Sequence, residues 1–538
     1  MKSKIRQTYQ RTVEYCSSRN IGILVSVLFM ISLFPIIRVG LHNYATGDDY
    51  WFSLYTYRAW VETGSILEAL KGSVQMVIRM YEEWQGTWFT LFLFTLSPNN
   101  FWENGYVLTV FMSLGLLIGG ISCLAGFYLV KKLNFTKGAT AIIICLVSWL
   151  SIQYIPRTTS GIYWYNGVAH YSVPFFLGCL AIIQAHLFVE TKRKRNLIIT
   201  FLVFTLLGGG SYLVPLSATL AVVLILLAQL KAKEGEGKRE CSRRGEKKKI
   251  RLSFDRRNLW LLLPLLAEFA GLLISFKAPG NSVRGGEEFG ADLGWAVKTV
   301  YYAIDRGIYL GIDFFRENPV TVVVYLMLAL LIWSQLWRVN REKVRFRLPL
   351  LFVLYMNGIY WASYTPEIYA RSDVSGGVQN TYFHIFLLVT LANIIYVQGW
   401  IQEGLRKMWK KKNGRWTYVN GEIKSSLYGV RYREYILIPG IVVGVLLLIF
   451  LNKSNLLTST NDYCIALIRS GKLWQYEEIR QEQHRILTES EEEEVVVPEM
   501  EAKYPLLNMT LSENPKESRN IDRALYYGKK SVTAVRVE

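Results

Sequence analysis

Residues 21–39 read IGILVSVLFMISLFPIIRV, and eight positions further on comes Gly47-Asp48-Asp49-Tyr50-Trp51-Phe52. Nineteen apolar-rich residues make a helix of about 28 Å, close to the ~30 Å hydrocarbon core of a bilayer. Lys2, Lys4, Arg6, Arg11 and Arg19 precede the run. It is too long for a signal-peptide core and no A-x-A-like site follows, so an uncleaved anchor with a cytoplasmic N-terminus is expected. Outward from this anchor, ten more apolar runs lie near 106–130, 139–155, 172–189, 197–208, 212–230, 259–276, 318–337, 348–363, 380–399 and 435–452. Eleven spans follow, an all-α polytopic membrane protein. The composition agrees: 538 residues are 51% hydrophobic and 19% charged, whereas soluble chains run near 25% charged.

The net charge of +19 would point to nucleic acid in a soluble chain. Its placement argues for topology instead, and no nucleic-acid partner is expected. With the N-terminus inside, residues 1–20, 131–137, 190–196, 231–258, 338–347 and 400–434 face the cytoplasm and hold 38 Lys and Arg; the outer loops before residue 453 hold ten. Domain boundaries follow: a cytoplasmic N-terminus (1–20), a transmembrane body (21–452) with outer loops 40–105, 156–171, 277–317 and 364–379, and an extracytoplasmic C-terminal segment (453–538). The turn Gly208-Gly209-Gly210-Ser211 separates two of the spans as a hairpin.

Two apolar stretches are not counted as spans. Trp84 to Ser97 gives only about 21 Å of helix, and Leu293 to Phe315 is interrupted by Lys298, Asp305, Arg306 and Asp313. Both are expected as outer-face helices lying in the interface or re-entering. Arg79, Glu82 and Glu83 read as a solvated, mutually paired face. In the tail, an amphipathic stretch from Tyr463 to Leu487, the run Glu491 to Glu494, Val495-Val496-Val497 and Pro498 read as a small α/β cap. The six cysteines form no CxxC pair and indicate neither a zinc site nor a disulfide framework.

Asp48 and Asp49 have two readings. Either they are solvated loop residues, Asp48 capping a helix, or one takes a proton from a hydroxyl nucleophile while the other orients it or helps hold a divalent cation, Mg or Mn. A single span, a long outer loop opening on an acidic motif, and interfacial helices before the second span resemble the GT-C superfamily of integral-membrane glycosyltransferases. More narrowly, Gly47 to Phe52, Trp164-Tyr165-Asn166-Gly167, Ala278-Pro279-Gly280-Asn281 with Arg284, and Leu511-Ser512-Glu513-Asn514-Pro515 through Asn520 to Tyr526-Tyr527-Gly528 are similar to a family of bacterial polytopic membrane proteins with no established activity. The GT-C resemblance implies a transferase using a polyprenyl-phosphate-linked sugar, with Asp48 or Asp49 as catalytic base, in a bacterial plasma membrane. The acceptor would be an extracytoplasmic glycan or glycolipid.

Other outer-face residues fit that chemistry on their own terms. A guanidinium matches phosphate oxygens, which makes Arg284, Arg371 and Arg157 candidates for a donor phosphate. Trp164, Asn166, His170 and Asn281 suit a carbohydrate, aromatic faces stacking on C–H surfaces and amides bonding hydroxyls. The bland alternatives are an interfacial aromatic belt and arginines paired with Glu287, Glu288 or lipid headgroups. His186 and His384 are expected as packing residues. Glu268, inside a span, is the best argument for a competing transporter or flippase of a lipid-linked saccharide; a non-catalytic envelope-assembly protein is a third class. One geometric expectation separates these: a transferase should place Asp48 or Asp49 in one cavity with Arg284 or Arg371.

Overall fold

A computed structural model describes residues 18–234, 250–285, 292–340, 344–371, 376–412, 436–453, 458–501, 504–506 and 509–537. Most of the basic cluster at 231–258, the loop beyond residue 412, and Glu287 and Glu288 lie outside the described residues. The molecule is helical almost throughout. Each apolar run expected as a span is a helix: α1 (Ser18–Ser32) continuing as α2 (Phe34–Gly40), then, beyond the outer-loop helices α3 to α5, α6 (Leu108–Gly126), α7 (Lys137–Gln153), α8 (Val173–Thr191), α9 (Lys194–Gly208), α10 (Leu213–Leu227), α11 (Leu262–Phe276), α14 (Pro319–Leu336), α15 (Pro349–Ala362), α17 (Gly376–Lys412) and α18 (Ile438–Lys453). Among the described residues six helical stretches, Ser18–Gly40, Gly105–Lys132, Tyr165–Thr191, Arg256–Phe276, Pro319–Leu336 and Gly376–Leu405, are long and apolar enough to cross a membrane; four shorter apolar helices accompany them. The chain is a multi-pass membrane protein by that measure.

The chain breaks at the expected glycine turn. Helix α9 ends at Gly208, and the Gly209 carbonyl accepts the backbone N–H of Phe89 at 2.8 Å, so the turn before α10 abuts the first outer loop. Tyr165–Thr191 runs as one apolar stretch, taking residues 165–171 of the expected loop 156–171 into a helix through a turn of π geometry, and a separate π turn, Thr159–Tyr163, precedes it across the extended Trp164. A short antiparallel ribbon that the sequence did not announce, β1 (Lys231–Glu234) with β2 (Ile250–Ser253), brackets the basic cluster.

The first outer loop folds as α3 (Asp48–Thr63), α4 (Ile66–Glu83) and α5 (Trp88–Thr95). Gly64, at φ +62°, ends α3, and Ser65 caps α4, so the two helices reverse on each other. They pack closely because Gly72 faces the Tyr55 carbonyl: a Cβ there would lie 2.5 Å from the oxygen. Thr56 and Ser73 Oγ atoms hydrogen-bond across the contact at 2.8 Å. Arg79 and Glu83 are paired at 2.8 Å on the exposed side. Beyond α12 (Pro279–Gly285), the second uncounted stretch is one helix, α13 (Leu293–Glu317), capped by Asp292 and buried only along Thr299, Ala303, Gly307 and Phe314. The rest of α13 exposes Leu293, Val297, Tyr301, Ile308 and Ile312, with Asp305 and Arg306 between them.

The tail is an α/β unit: α19 (Thr460–Arg469), α20 (Lys472–Glu489), β3 (Glu494–Glu499), α21 (Ser518–Tyr527) and β4 (Ser531–Arg536), the strands parallel with Val495 beside Val532. It docks on the first outer loop. Tyr526 stacks on Tyr57 at 3.9 Å and its hydroxyl donates to Asn100 Oδ1 at 3.1 Å; Arg58 donates to the Leu525 carbonyl at 2.6 Å, and Arg523 lies 3.8 Å over the Tyr50 ring.

Candidate active site

Helix α3 starts where the chain has one way to turn. Gly47 sits at φ +54°, a conformation that costs an L-residue about 1–2 kcal/mol, and a Cβ on it would lie 2.0 Å from Met509 Sδ. Thr46 Oγ1 also donates to the Met509 carbonyl at 3.2 Å. Asp48 and Asp49 then occupy the first helical turn, where the aligned N–H groups favour negative charge.

Their surroundings separate them. Asp49 is fully buried; its Oδ2 accepts the Thr46 N–H at 3.0 Å and the Tyr106 hydroxyl at 2.5 Å. Burial pushes its carboxyl up to about 7, against the lowering effect of Thr46 and Tyr106. Tyr106 in turn accepts the Tyr165 backbone N–H at 3.0 Å, so Asp49 ties α3 to the segment that carries Trp164 and Asn166. Asp48 is half-buried and lines a cavity of about 1510 Å³. Burial raises its carboxyl above the ordinary range while Arg519 of α21 opposes this. Asp522, on the same tail helix, is pushed up to about 7 by burial and by the charge of Asp48.

The cavity collects residues from distant parts of the sequence. Asp48, Trp164, Asn166, His170, Asn281, Arg284 and Arg371 all line it, so an α3 carboxylate shares one cavity with Arg284 and with Arg371. Asp49 does not line it, standing behind Asp48. Arg157 is not brought to it either: its backbone is clamped by Asn380, at 2.9 Å through both N–H and carbonyl, and its side chain is exposed. Asn281 borders the cavity with its amide already engaged, Nδ2 donating to the Ser275 and Phe276 carbonyls at 2.7 and 3.0 Å and Oδ1 accepting the Gly86 N–H at 3.3 Å. It fixes the end of α11 against the start of α5, which the sequence could not distinguish from a substrate contact.

The polar atoms left over are informative. Trp164 Nε1, both side-chain polar atoms of Asn166, and Thr299 Oγ1 are buried on residues of the cavity wall without a hydrogen-bond partner among the described residues. Each such group costs about 1–3 kcal/mol unless something fills its need. Arg284 lies over the Trp84 ring at 5.0 Å and uses Nη1 on Gln85 Oε1 at 2.7 Å, leaving other N–H donors of its five uncommitted among the described residues. Arg371 lies 4.6 Å over the Trp295 ring. His170 Nδ1 contacts Thr90 Oγ1 at 2.9 Å; that hydroxyl donates to the Thr87 carbonyl, so Nδ1 carries the proton toward it and Nε2 is the nitrogen available for the cavity. Much of the remaining wall is apolar, and Phe269 of α11, Val300 of α13 and Leu354 of α15 are each more than half exposed.

No family model, curated protein or solved structure matches the chain. The site is therefore read from its own groups. A divalent cation of the Mg or Mn kind takes about six oxygen ligands, commonly one or two carboxylates with waters and substrate phosphates completing the shell. Among the described residues no three His, Cys, Asp or Glu side chains converge, so no step is routed through a metal. Glu268 is buried in α11, hydrogen-bonded by Thr219, with Oε1 unpartnered, and does not line the cavity. His186 contacts the Tyr128 hydroxyl at 3.1 Å and His384 the Ser151 hydroxyl at 2.8 Å, both inside packed helices. Sequence reasoning missed Glu367, which lines the cavity from α16 (Thr365–Ala370), and Gln85. It also missed Tyr106, whose position at the start of the second apolar run was the one available signal.

Proposed function

We propose that the chain is a GT-C-like membrane glycosyltransferase that moves a sugar from a polyprenyl-phosphate donor to an extracytoplasmic acceptor at a bacterial plasma membrane. In this reading eleven helices span the bilayer, with the N-terminus inside and the tail outside. The observation that carries it is the orphaned amide of Asn166 and indole N–H of Trp164, buried in the same cavity as Asp48, Arg284 and Arg371. A saccharide offers hydroxyls that both donate and accept, which is what an unpartnered amide and an indole require. A volume of about 1510 Å³ exceeds the 300–1,000 Å³ typical of single-ligand pockets and leaves room for two substrates. The exposed apolar wall at Phe269, Val300 and Leu354 suits the hydrocarbon tail of a lipid-linked donor.

Asp48 is the base, because of the two carboxylates of the acidic motif it is the one that lines the cavity. It takes the proton of the acceptor hydroxyl as that oxygen attacks the anomeric carbon. The bond from that carbon to the phosphate oxygen breaks, its electron pair goes to the phosphate, and Arg284 and Arg371 stabilise the growing charge. One displacement inverts the anomeric centre. Asp49 acts through Thr46 and Tyr106 and positions α3. The test is transfer from a panel of radiolabelled polyprenyl-phosphate sugars to envelope extracts by the purified protein in lipid. Asp48→Asn should lower turnover by about 10²- to 10⁴-fold with folding intact, and Asp49→Asn by much less. Equal activity in Asp48→Asn and wild type would overturn the assignment. Transport of a lipid-linked saccharide is favoured by one observation, the unpartnered Oε1 of Glu268 within a helix contact; transbilayer movement without a new glycosidic bond, lost in Glu268→Gln, would establish it instead.

A further inference from the structure

Glu367 is the second carboxylate of the cavity, and it is held more firmly than a loop residue needs to be. It sits in the first turn of α16, and its Oε2 accepts the Tyr382 hydroxyl at 2.5 Å. Tyr382 is stacked on Tyr364 at 3.8 Å, and the Tyr364 hydroxyl meets that of Tyr360 at 2.6 Å, so three aromatic side chains from α15, α17 and the turn between α15 and α16 fix the orientation of the acid. Tyr382 is its one hydrogen-bond partner among the described residues. The other oxygen, Oε1, is left without one in a half-buried wall. Arg371 follows one helical turn later and lines the same cavity. Burial pushes the Glu367 carboxyl up to about 7, opposed by Tyr382 and by the nearby charge of Arg306 on α13. A carboxylate oxygen that no protein group occupies, on a residue lining the cavity, can accept a hydrogen bond from a bound molecule.

We propose that Glu367 is a specificity-determining residue of the cavity, binding a hydrogen-bond donor of the saccharide, a hydroxyl or an ammonium, through the carboxylate oxygen that Tyr382 leaves free. This rests on the reading of the cavity as a saccharide site and adds to it a subsite supplied by α16, separate in sequence from Asp48 and from the Trp164–Asn166 segment. Tyr382 and Tyr364 are positioning residues that hold the carboxylate still. Glu367 takes no part in breaking the glycosidic bond.

The experiment is binding, so it does not depend on finding the natural donor. Methyl glucoside and methyl glucosaminide are titrated against the full-length protein in nanodiscs by saturation-transfer NMR, for wild type, Glu367→Gln, Glu367→Ala, Tyr382→Phe and Asn166→Ala. Glu367→Ala should weaken the preferred glycoside about tenfold or more, the range for a hydrogen bond to a charged group. Where the bound group is a hydroxyl, Glu367→Gln retains binding within about threefold, because the amide oxygen still accepts. Where it is an ammonium, wild type prefers the glucosaminide and Glu367→Gln loses as much as Glu367→Ala. Tyr382→Phe keeps the carboxylate and should keep most of the binding. If Glu367→Ala and Tyr382→Phe lower affinity and melting temperature together, the contact is a structural brace and the proposal is wrong. Binding weakened by Asn166→Ala but unchanged by Glu367→Ala would overturn the proposal while sparing the saccharide reading, and no glycoside binding by wild type would overturn both.

Discussion

Helix α3 has neighbours on two sides. Helix α4 packs along it through Gly72, and the tail covers its beginning with Met509 and its length with Arg523 and Tyr526. Helix α13, in the second outer loop, buries one narrow stripe and leaves Leu293, Val297, Tyr301, Ile308 and Ile312 exposed. Both border the cavity, α3 through Asp48 and Phe52, α13 through Ala296, Thr299 and Val300. The contrast separates two tasks. A proton acceptor must be held to within a fraction of an ångström, which takes contacts on every side. A wall that a lipid-linked substrate passes needs an apolar surface and freedom to give way. Substitutions on the two helices should therefore differ in size.

The largest effect on stability is expected at Gly47. Valine there meets both the positive φ and the Met509 sulfur, together about 3 kcal/mol or more. Gly47→Val should reduce folded yield and melting temperature, and Gly47→Val with Met509→Ala should recover only the steric part. A double variant no better than the single one would mean that backbone conformation is the whole effect.

The next is at Asp49 and depends on pH. Its carboxyl goes from the ordinary 3.8 of an exposed aspartate to about 7 when folded. Between those values the folded state holds a proton that the unfolded state has lost. The stability contributed is thus fully present below about pH 3.8, declines as pH rises, and is gone above pH 7, with a slope of up to about 1.4 kcal/mol per pH unit. Asp49→Asn should flatten that portion of a melting curve taken from pH 4 to 8. Asp48, Asp522 and Glu367 shift in the same direction and contribute to the slope that remains. An unchanged slope would show that Asp49 is ionised in the fold.

The smallest effect is at Thr299 on α13. Its hydroxyl has no partner, so Thr299→Val removes a cost rather than a contact, and stability should stay within about 1 kcal/mol of wild type or rise. A substantial loss would mean α13 is packed as firmly as α3, and the contrast would fail.

The helices were legible because length and hydropathy are local. An apolar run such as 172–189 or 318–337 declares itself without reference to the rest of the chain. The acidic motif was legible for the same reason, as was the turn at Gly208 to Ser211. What the sequence could not divide was Asp48 from Asp49, since neighbours in the chain differ only in which side of α3 they present, and that depends on Tyr106, 57 positions away. Asn281 and Arg157 have the chemistry of binding residues. The first spends its amide on backbone carbonyls and the second has its backbone held by Asn380, both decided by contacts at long separation. Glu367 drew no attention because nothing in Thr365-Pro366-Glu367 reveals the tyrosine cluster behind it.

The seal between Thr46 and Met509 joins residues 463 positions apart. At ordinary translation rates of about 5–20 residues per second, the ribosome needs roughly 25–90 s to travel from one to the other. During that interval α3 can have its partner α4 but not its cover of Met509, Arg523 and Tyr526. The acidic motif emerges among the first segments made and is covered among the last, so a nascent chain in the membrane carries Asp48 and Asp49 long before the tail closes over the start of α3.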